Sequence, residues 1–369
     1  MKAIKRIIKW TLIVVPVLLF IWFQISYWSS TNDCETLGKA QGETMKAVVY
    51  CDYGTSEVLK VMDVPKPQPT DNQVLVRVRA ASVNPYDWHM LRGTPYLMRL
   101  GNGLRKPAVT KFGVDFAGTV EAIGKNVTEF KPGDEVFSGK PGAFAQYICV
   151  AEKSLAKKAE NISFEQAGSI QIAGMTALQG LRKHGNIQPG QKVLVNGASG
   201  GVGTFAVQIG KALGAHVTGV CSTRNIELVK GLGADRVIDY TKEDFAKGSE
   251  RYDLILDNVP NHPLSECRQI LTPTGKYIMI GGGGPNDGKW IGPFGRVIHM
   301  LLLKPFIKQP MTMMMAENNK ADMNFLSDLM RAGKLTPVID RTFKLEEVSA
   351  AVAYVETGRA RGKVAITVE

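Results

Sequence analysis

Val193-Leu-Val-Asn-Gly-Ala-Ser-Gly-Gly-Val-Gly203 runs directly into Thr204-Phe-Ala-Val-Gln-Ile-Gly-Lys-Ala-Leu213. An apolar run of strand character enters a glycine cluster, and the cluster opens into apolar residues at helical spacing. His216-Val-Thr-Gly-Val-Cys221 then reads as a second strand. Together these segments make a βαβ unit of about 30 residues. A glycine turn at this place brings backbone N–H groups and the positive end of a helix close to a pyrophosphate. The best register is Ala198-x-Gly200-x-x-Gly203, with alanine for the first glycine and Gly197 just before it. A glycine-rich surface turn would look the same in isolation. The flanking strands and helix favour a dinucleotide site built from Gly197, Ala198, Ser199, Gly200, Gly201, Val202 and Gly203.

An NAD site usually presents an acid to the ribose 2′-hydroxyl at the end of the second strand. Here the strand ends in Cys221-Ser222-Thr223-Arg224, with no carboxylate. Two hydroxyls and a guanidinium suit a 2′-phosphate through charge-assisted hydrogen bonds. The expected cofactor is therefore NADP(H), held by Ser222, Thr223 and Arg224. Arg224 could also be an ordinary solvated arginine at a helix start.

Further along the chain, strand-like runs at 235–240, 252–257 and 275–280 are spaced as if by helices, with a short helix over 225–232. Alternating β and α implies a doubly wound parallel sheet with its ligand at the carboxyl ends of the strands. Ser163-Phe-Glu-Gln166 has capping-box spacing, and 167–181 reads as helix. Upstream, 45–50, 74–80, 113–122, 134–137 and 142–150 are strand-like and turn-punctuated. Lys131-Pro-Gly-Asp134 is a turn in which proline presets one position and glycine relieves the next. These residues predict a compact β-barrel-like domain. An irregular, apolar, basic, methionine-rich insertion occupies 289–315. It reads either as a buried lid or as a surface that contacts membrane or lipid-like substrate. A helix over 345–356 and a strand over 362–368 close the chain and return it to the first domain.

The net charge is +11. Residues 1–45 hold five Lys/Arg and three Asp/Glu, so about +9 belongs to the remainder. A basic body suits a polyanionic cofactor or an anionic membrane surface. No zinc finger, RNA-recognition signature or basic helix supports nucleic acid. The cysteines at 34, 51, 149, 221 and 267 are scattered and suggest neither a disulfide framework nor a cysteine zinc site. Residues 10–28 carry no charge and follow Lys2, Lys5, Arg6 and Lys9. That length crosses a bilayer core, and Trp10, Trp22, Tyr27 and Trp28 suit the interfacial belts. The reading is one N-terminal transmembrane anchor over 1–30, then a polar linker over 31–44. A signal peptide or a start at Met45 are the alternatives. The positive-inside rule would put the body outside the cytoplasm, which conflicts with a cofactor of the cell interior.

Taken in order, Lys46-Ala-Val-Val-Tyr50, Ser82-Val-Asn-Pro-Tyr-Asp87, Gly113-Val-Asp-Phe-Ala-Gly118, Lys131-Pro-Gly-Asp134, Ala173-Gly-Met-Thr176, Asn196 to Gly203, Ile238-Asp-Tyr240 and Gly362-Lys-Val364 resemble the medium-chain dehydrogenase/reductase superfamily. The resemblance is to its zinc-free quinone oxidoreductase (zeta-crystallin-like) branch. It implies a GroES-like β-barrel catalytic domain over 45–160, a Rossmann NADP-binding domain over 161–290, and a lid insertion with return to the catalytic domain over 291–369. It places Thr176, Asn258, Gly281 and Gly282 near the nicotinamide, Tyr240 by the adenosine phosphate, and Lys363 within reach of the cofactor. Zinc members carry a cysteine ligand where this chain has Asn84, and Gly-His-Glu where it has Gly113-Val-Asp115. Two of three ligand positions are thus Asn84 and Val114, so no zinc is expected. His89 and His184 read as satisfied histidines.

Without a Lewis acid, the implied chemistry is hydride delivery to an acceptor that is already electron-poor, a quinone or an α,β-unsaturated carbonyl. Asn84 and Tyr86 are the candidates to orient the acceptor oxygen, with Tyr86 donating to the developing oxyanion. An Asn-Pro turn with a packed tyrosine is the structural alternative. Asp87 and Asp115 read as groups that hold the loop. The competing functions are a membrane-tethered NADPH sensor or scaffold without turnover, and a zinc alcohol dehydrogenase. A homodimer is one assembly to test.

Overall fold

The computed structural model describes residues 14–18, 21, 22, 24–28, 30–37, 42–281, 284 and 288–369. Among these, a six-stranded parallel sheet runs in the spatial order Arg236–Asp239, His216–Cys221, Lys192–Asn196, Tyr252–Asp257, Leu271–Ile280, Met311–Met314. The strand order reverses between Lys192–Asn196 and Tyr252–Asp257. Such a switch point opens a crevice at the carboxyl ends of the strands. Val193, Val195, Leu254, Leu256 and Ile278 are buried on one face of the sheet with Phe205 and Ile209 of the helix Gly201–Ala212. Leu194, Ile255, Tyr277 and Met279 are buried on the other. Burial on both faces explains the near-continuous apolar runs.

The second large sheet is mainly antiparallel. It runs Ile339–Lys344, Lys363–Thr367, Gln73–Val83, Asp115–Ile123, Glu135–Gly139, Ala156–Lys157, with Tyr147–Ala151 also paired to Gln73–Val83. Lys363–Thr367 pairs antiparallel with Gln73–Val83 although nearly 300 residues separate them. An isolated bridge between Gly200 and Gly362 joins this sheet to the glycine turn of the other.

Several local expectations need correction. The helix expected over 167–181 is divided into Phe164–Ala167, Gln171–Gln179 and a π turn at Gly180–His184. The insertion read as irregular contains the helix Phe294–Leu303 and the sheet-edge strand Met311–Met314. Its Met300 and Met314 are buried, while Trp290, Leu301, Leu302 and Phe306 are exposed. The linker is not a free tether. It holds the short helix Cys34–Leu37, Asp33 accepts from Thr110 at 2.5 Å, and Cys34 forms a disulfide with Cys51. That pairing was invisible to cysteine spacing because the fold, not the sequence, brings the two thiols together.

Among the described residues no helix is long and apolar enough to cross a membrane. The expected span 10–28 falls partly on residues 10–13, 19, 20 and 23, outside the described ones. Its described residues are helical, and Leu18, Trp22, Ile25 and Trp28 are exposed.

Candidate functional site

The glycine turn is shaped by contacts that exclude side chains. Gly197 has φ 78°, a left-handed conformation that favours glycine. A Cβ on Gly203 would stand 2.1 Å from Gly197 O. Ala198 N donates to Val220 O at 2.9 Å, and Ser199 O accepts from Gly362 N at 2.9 Å. The helix Gly201–Ala212 has Gly200 at its N-cap, with no side-chain cap. Its first intrahelical bond is Thr204 N to Gly200 O, at 3.0 Å. The N–H groups of Gly201, Val202 and Gly203 therefore lie at the open helix end, the arrangement that holds phosphate.

Beside this turn are polar atoms that fit a dinucleotide. Asn258 Nδ2 donates to Asn196 O at 2.8 Å, while Asn258 Oδ1 is buried with no hydrogen-bond partner. Asn225 Nδ2 donates to Ser199 Oγ at 2.9 Å, and Asn225 Oδ1 is likewise unpartnered. Buried orphan acceptors of this kind are costly unless a donor completes them. Ribose hydroxyls or a carboxamide have the required N–H and O–H groups. Gly281 follows the strand Leu271–Ile280 with φ 64° and open space at its Cβ position. Gly282 lies outside the described residues.

The far end of the site differs from the sequence expectation. The Thr223 hydroxyl donates within the protein, whereas Ser222 Oγ only accepts. Thr223 Oγ1 donates to Asp239 Oδ2 at 2.5 Å, and Ser222 Oγ accepts from Asn225 Nδ2 at 3.2 Å. Asp239 belongs to the neighbouring strand, so reading along the second strand alone missed a carboxylate. The Thr223 hydrogen bond, with help from Thr241 and Lys242, holds this acid down at about 2. Arg224 Nη2 donates to Arg359 O at 2.7 Å. The Arg341 guanidinium stacks 4.0 Å over Tyr354, whose phenol feels the charges of both Arg341 and Arg224. Tyr240, exposed, donates its N–H to Cys221 O at 3.0 Å and so borders the same end.

The other end is a buried polar cluster. Asn84 caps the helix Pro85–Arg92, with Pro85 at the first helical position. Asp87 Oδ2 accepts from Asn84 N at 2.7 Å, one arm of a capping box. Lys363 Nζ donates to Asn84 Oδ1 at 2.5 Å and lies 3.6 Å from Asp115 Oδ2. Asp115 Oδ1 accepts from Ile172 N at 3.1 Å, which fixes the first turn of the helix carrying Thr176. Burial pushes Asp87 up to about 7, and the Asp115 charge adds to this. Burial also raises Asp115 and lowers Lys363, while their mutual attraction opposes both shifts. Tyr86 is partly exposed at the helix start, and burial followed by the Asp87 charge raises its phenol. His89 Nδ1 lies 2.8 Å from Thr94 O.

Asn84, Lys363 and the helix of Thr176 thus meet around Asp115, while Arg224 and Tyr240 form a separate edge beyond the turn. The two ends are joined through the glycine turn itself. A Cβ on Gly201 would come within 3.2 Å of Lys363 Cδ. The sequence marked Asp115 as a group that holds the loop but not which groups it joins, because its partners lie 33, 57 and 248 residues away.

Residues 70–160 match the family model described as alcohol dehydrogenase GroES-like domain, and residues 232–366 the one described as zinc-binding dehydrogenase. The chain is 34% identical over 343 residues to the chloroplastic quinone-oxidoreductase of Triphysaria versicolor, an alignment that covers 88% of this chain and 99% of that one. The chain belongs to the medium-chain dehydrogenase/reductase family. A mitochondrial NAD(P)H oxidoreductase of Homo sapiens is 35% identical over 365 residues, covering 88% of this chain and 89% of that protein. The quinone oxidoreductase structure from Coxiella burnetii superposes with a TM-score of 0.76 at 31% identity, over 89% of this chain and all of the other. As a medium-chain dehydrogenase/reductase, the protein is an NAD(P)H-dependent oxidoreductase.

Proposed function

We propose that this dehydrogenase/reductase reduces a quinone or an α,β-unsaturated carbonyl with NADPH and without zinc. The observation that carries the reading is the junction at Lys363. Its ammonium binds Asn84, the position where zinc members place a ligand, and its stem lies against Gly201 of the phosphate turn. A fixed cation there opposes a second cation in the same space. The dinucleotide, when bound, supplies the hydride.

The remaining work falls to the chain. The N–H groups of Gly201, Val202 and Gly203 hold the pyrophosphate, and Arg224 favours a 2′-phosphate at the outer edge. Asn258 and Thr176 orient the nicotinamide side. Tyr86 donates to the acceptor oxygen as negative charge develops on it. Asn84 acts as a positioning residue, because its amide oxygen is engaged by Lys363. The apolar stretch over 10–28 tethers the enzyme to a membrane, which suits an acceptor that partitions into lipid.

The test is NADPH oxidation by the full chain, followed by absorbance with a panel of quinones and enals and accompanied by metal analysis. Turnover without zinc supports the reading. Tight NADPH binding without turnover on any acceptor would overturn it, and stoichiometric zinc would overturn the metal-free part.

A further inference from the structure

The helix Phe294–Leu303 is apolar on two faces. Val297, Met300 and Leu303 pack against the core cluster that holds Tyr277 and Met279. Ile298, Leu301 and Leu302 face away from it, and Leu301 and Leu302 are 63% and 67% exposed. Phe306, in the turn that follows, is 83% exposed, and Trp290, before the helix, is 75% exposed. A water-facing helix surface is ordinarily polar. Five large apolar side chains on one short segment make a patch rather than scattered single exposures.

Contacts bring other exposed apolar residues to the same place. Lys289 O accepts from Tyr96 N at 2.8 Å, and the Trp290 ring meets the Tyr96 ring edge-on with centroids 5.3 Å apart. Tyr96 opens the loop that carries Leu97 and Leu100, both exposed. The same loop receives the N-terminal segment. Ser30 Oγ donates to Lys106 O at 3.1 Å, and the Arg105 guanidinium lies over the exposed Trp28 ring, 5.3 Å from its centroid.

The charge of these segments is one-sided. Residues 88–114 contain no Asp or Glu and carry Arg92, Arg99, Arg105, Lys106 and Lys111. Residues 288–316 contain none either and carry Lys289, Arg296, Lys304 and Lys308. These two stretches, which touch each other, thus carry nine of the 45 Lys and Arg and none of the 34 Asp and Glu. Arg92 is bound to Glu356, and Arg296 lies by Asp257. Arg105, Lys106, Lys289, Lys304 and Lys308 make no ion pair with a described carboxylate.

We propose that this face, formed by residues 289–306 and the loop 96–106, is a docking surface for an anionic lipid bilayer. Its apolar side chains enter the headgroup–acyl boundary and its unpaired cations meet lipid phosphates. A second copy is a poorer occupant, since a two-fold contact would set the same cations against themselves. The proposal goes beyond the tether over 10–28, because it fixes how the folded body lies and holds whether or not that stretch spans the membrane.

The test uses the full chain with Phe306→Cys carrying an environment-sensitive fluorophore. Cys149, Cys221 and Cys267 are buried, and Cys34 is bonded to Cys51, so the label goes to 306. A Lys230→Cys label, on the helix Ile226–Gly231, is the reference. Vesicles of phosphatidylcholine with a minority of phosphatidylglycerol should give a several-fold rise in emission at 306, quenched by lipids spin-labelled in the acyl chain, with no change at 230. Adding Lys304→Glu and Lys308→Glu should abolish the rise. A silent 306 on chains that float with the vesicles would overturn the proposal and leave the N-terminal tether standing. A silent 306 with no flotation would overturn both. An equal response on pure phosphatidylcholine would overturn the assignment to an anionic surface. A rise without vesicles that grows with protein concentration would assign the face to a second copy, against the proposal.

Discussion

Lys363 Nζ lies 3.6 Å from Asp115 Oδ2, and both side chains are buried, at 2% and 0% exposure. The pair sits where the strand Lys363–Thr367 meets the helix of Asn84 and the glycine turn. Removing one partner leaves the other charge uncompensated in a low-dielectric site. Lys363→Met should cost about 3–5 kcal/mol of unfolding free energy, read from denaturant midpoints. The double variant with Asp115→Asn should be less destabilised than the sum of the singles, because the two residues share one interaction. Strict additivity would show that the pair is not coupled.

Asp87 sets a pH dependence of unusual sign. Its carboxyl is raised by burial from 3.8 to about 7 in the folded protein. A group raised in this way favours folding while protonated. That contribution is full below the unfolded pKa and is lost as pH rises through the folded pKa. Stability should therefore fall from this group as pH rises from about 4 to about 7. Asp87→Asn should flatten that slope, measured as the difference between wild-type and variant stability at each pH. Asp115 and Lys363 face the same group and remain in both proteins. An unchanged slope in the variant would remove Asp87 as its source.

Gly203 and Gly200 make a matched pair of tests. A Cβ at 203 meets Gly197 O at 2.1 Å, whereas one at 200 meets it at 3.5 Å, an ordinary contact. Gly203→Ala should displace the turn, with a stability loss of about 1–3 kcal/mol and weaker NADPH binding. Gly200→Ala should keep the stability, so any loss of NADPH affinity there reports how closely the cofactor approaches the backbone. Equal stability losses in thermal melts would contradict the geometry.

Arg224→Ala should weaken NADPH far more than NADH, by about 1–3 kcal/mol for a lost charge-assisted bond. Titration of each cofactor by fluorescence reads the difference. Equal losses would mean that Arg224 acts only through its bond to Arg359 O. Thr223→Val is the companion variant, since it removes the Thr223 hydrogen bond to Asp239 and leaves those from Thr241 in place.

The disulfide between Cys34 and Cys51 closes a separation of 17 residues. A loop of that size should contribute about 3 kcal/mol through the unfolded chain. Peptide mapping without reductant should find the two cysteines joined. Cys51→Ser should lower the melting temperature and expose residues 30–44 to proteolysis first. A variant as stable and as resistant as the parent would show that the hydrogen bonds of Asn32 and Asp33 hold this segment by themselves.

The sequence alone determined the glycine turn and the parallel alternation around it. These signals are local. Glycine is demanded within a few residues of the close approach it permits, and strands buried on both faces must be apolar throughout. His216–Cys221 and Tyr252–Asp257 have the bounds expected from the sequence for this reason. The family motifs were legible on the same ground. What the tertiary structure decided lies between distant segments. Only folding sets Asp239 against Thr223, Lys363 against Asn84 and Cys34 against Cys51. It also leaves Leu301, Leu302 and Phe306 exposed, where composition could not separate a lid from a surface. Local chemistry wrote the glycine turn. The side chains around it took their roles from partners on other elements, from 16 residues away for Thr223 and Asp239 to 279 for Lys363 and Asn84, because only folding brings those groups within hydrogen-bond distance.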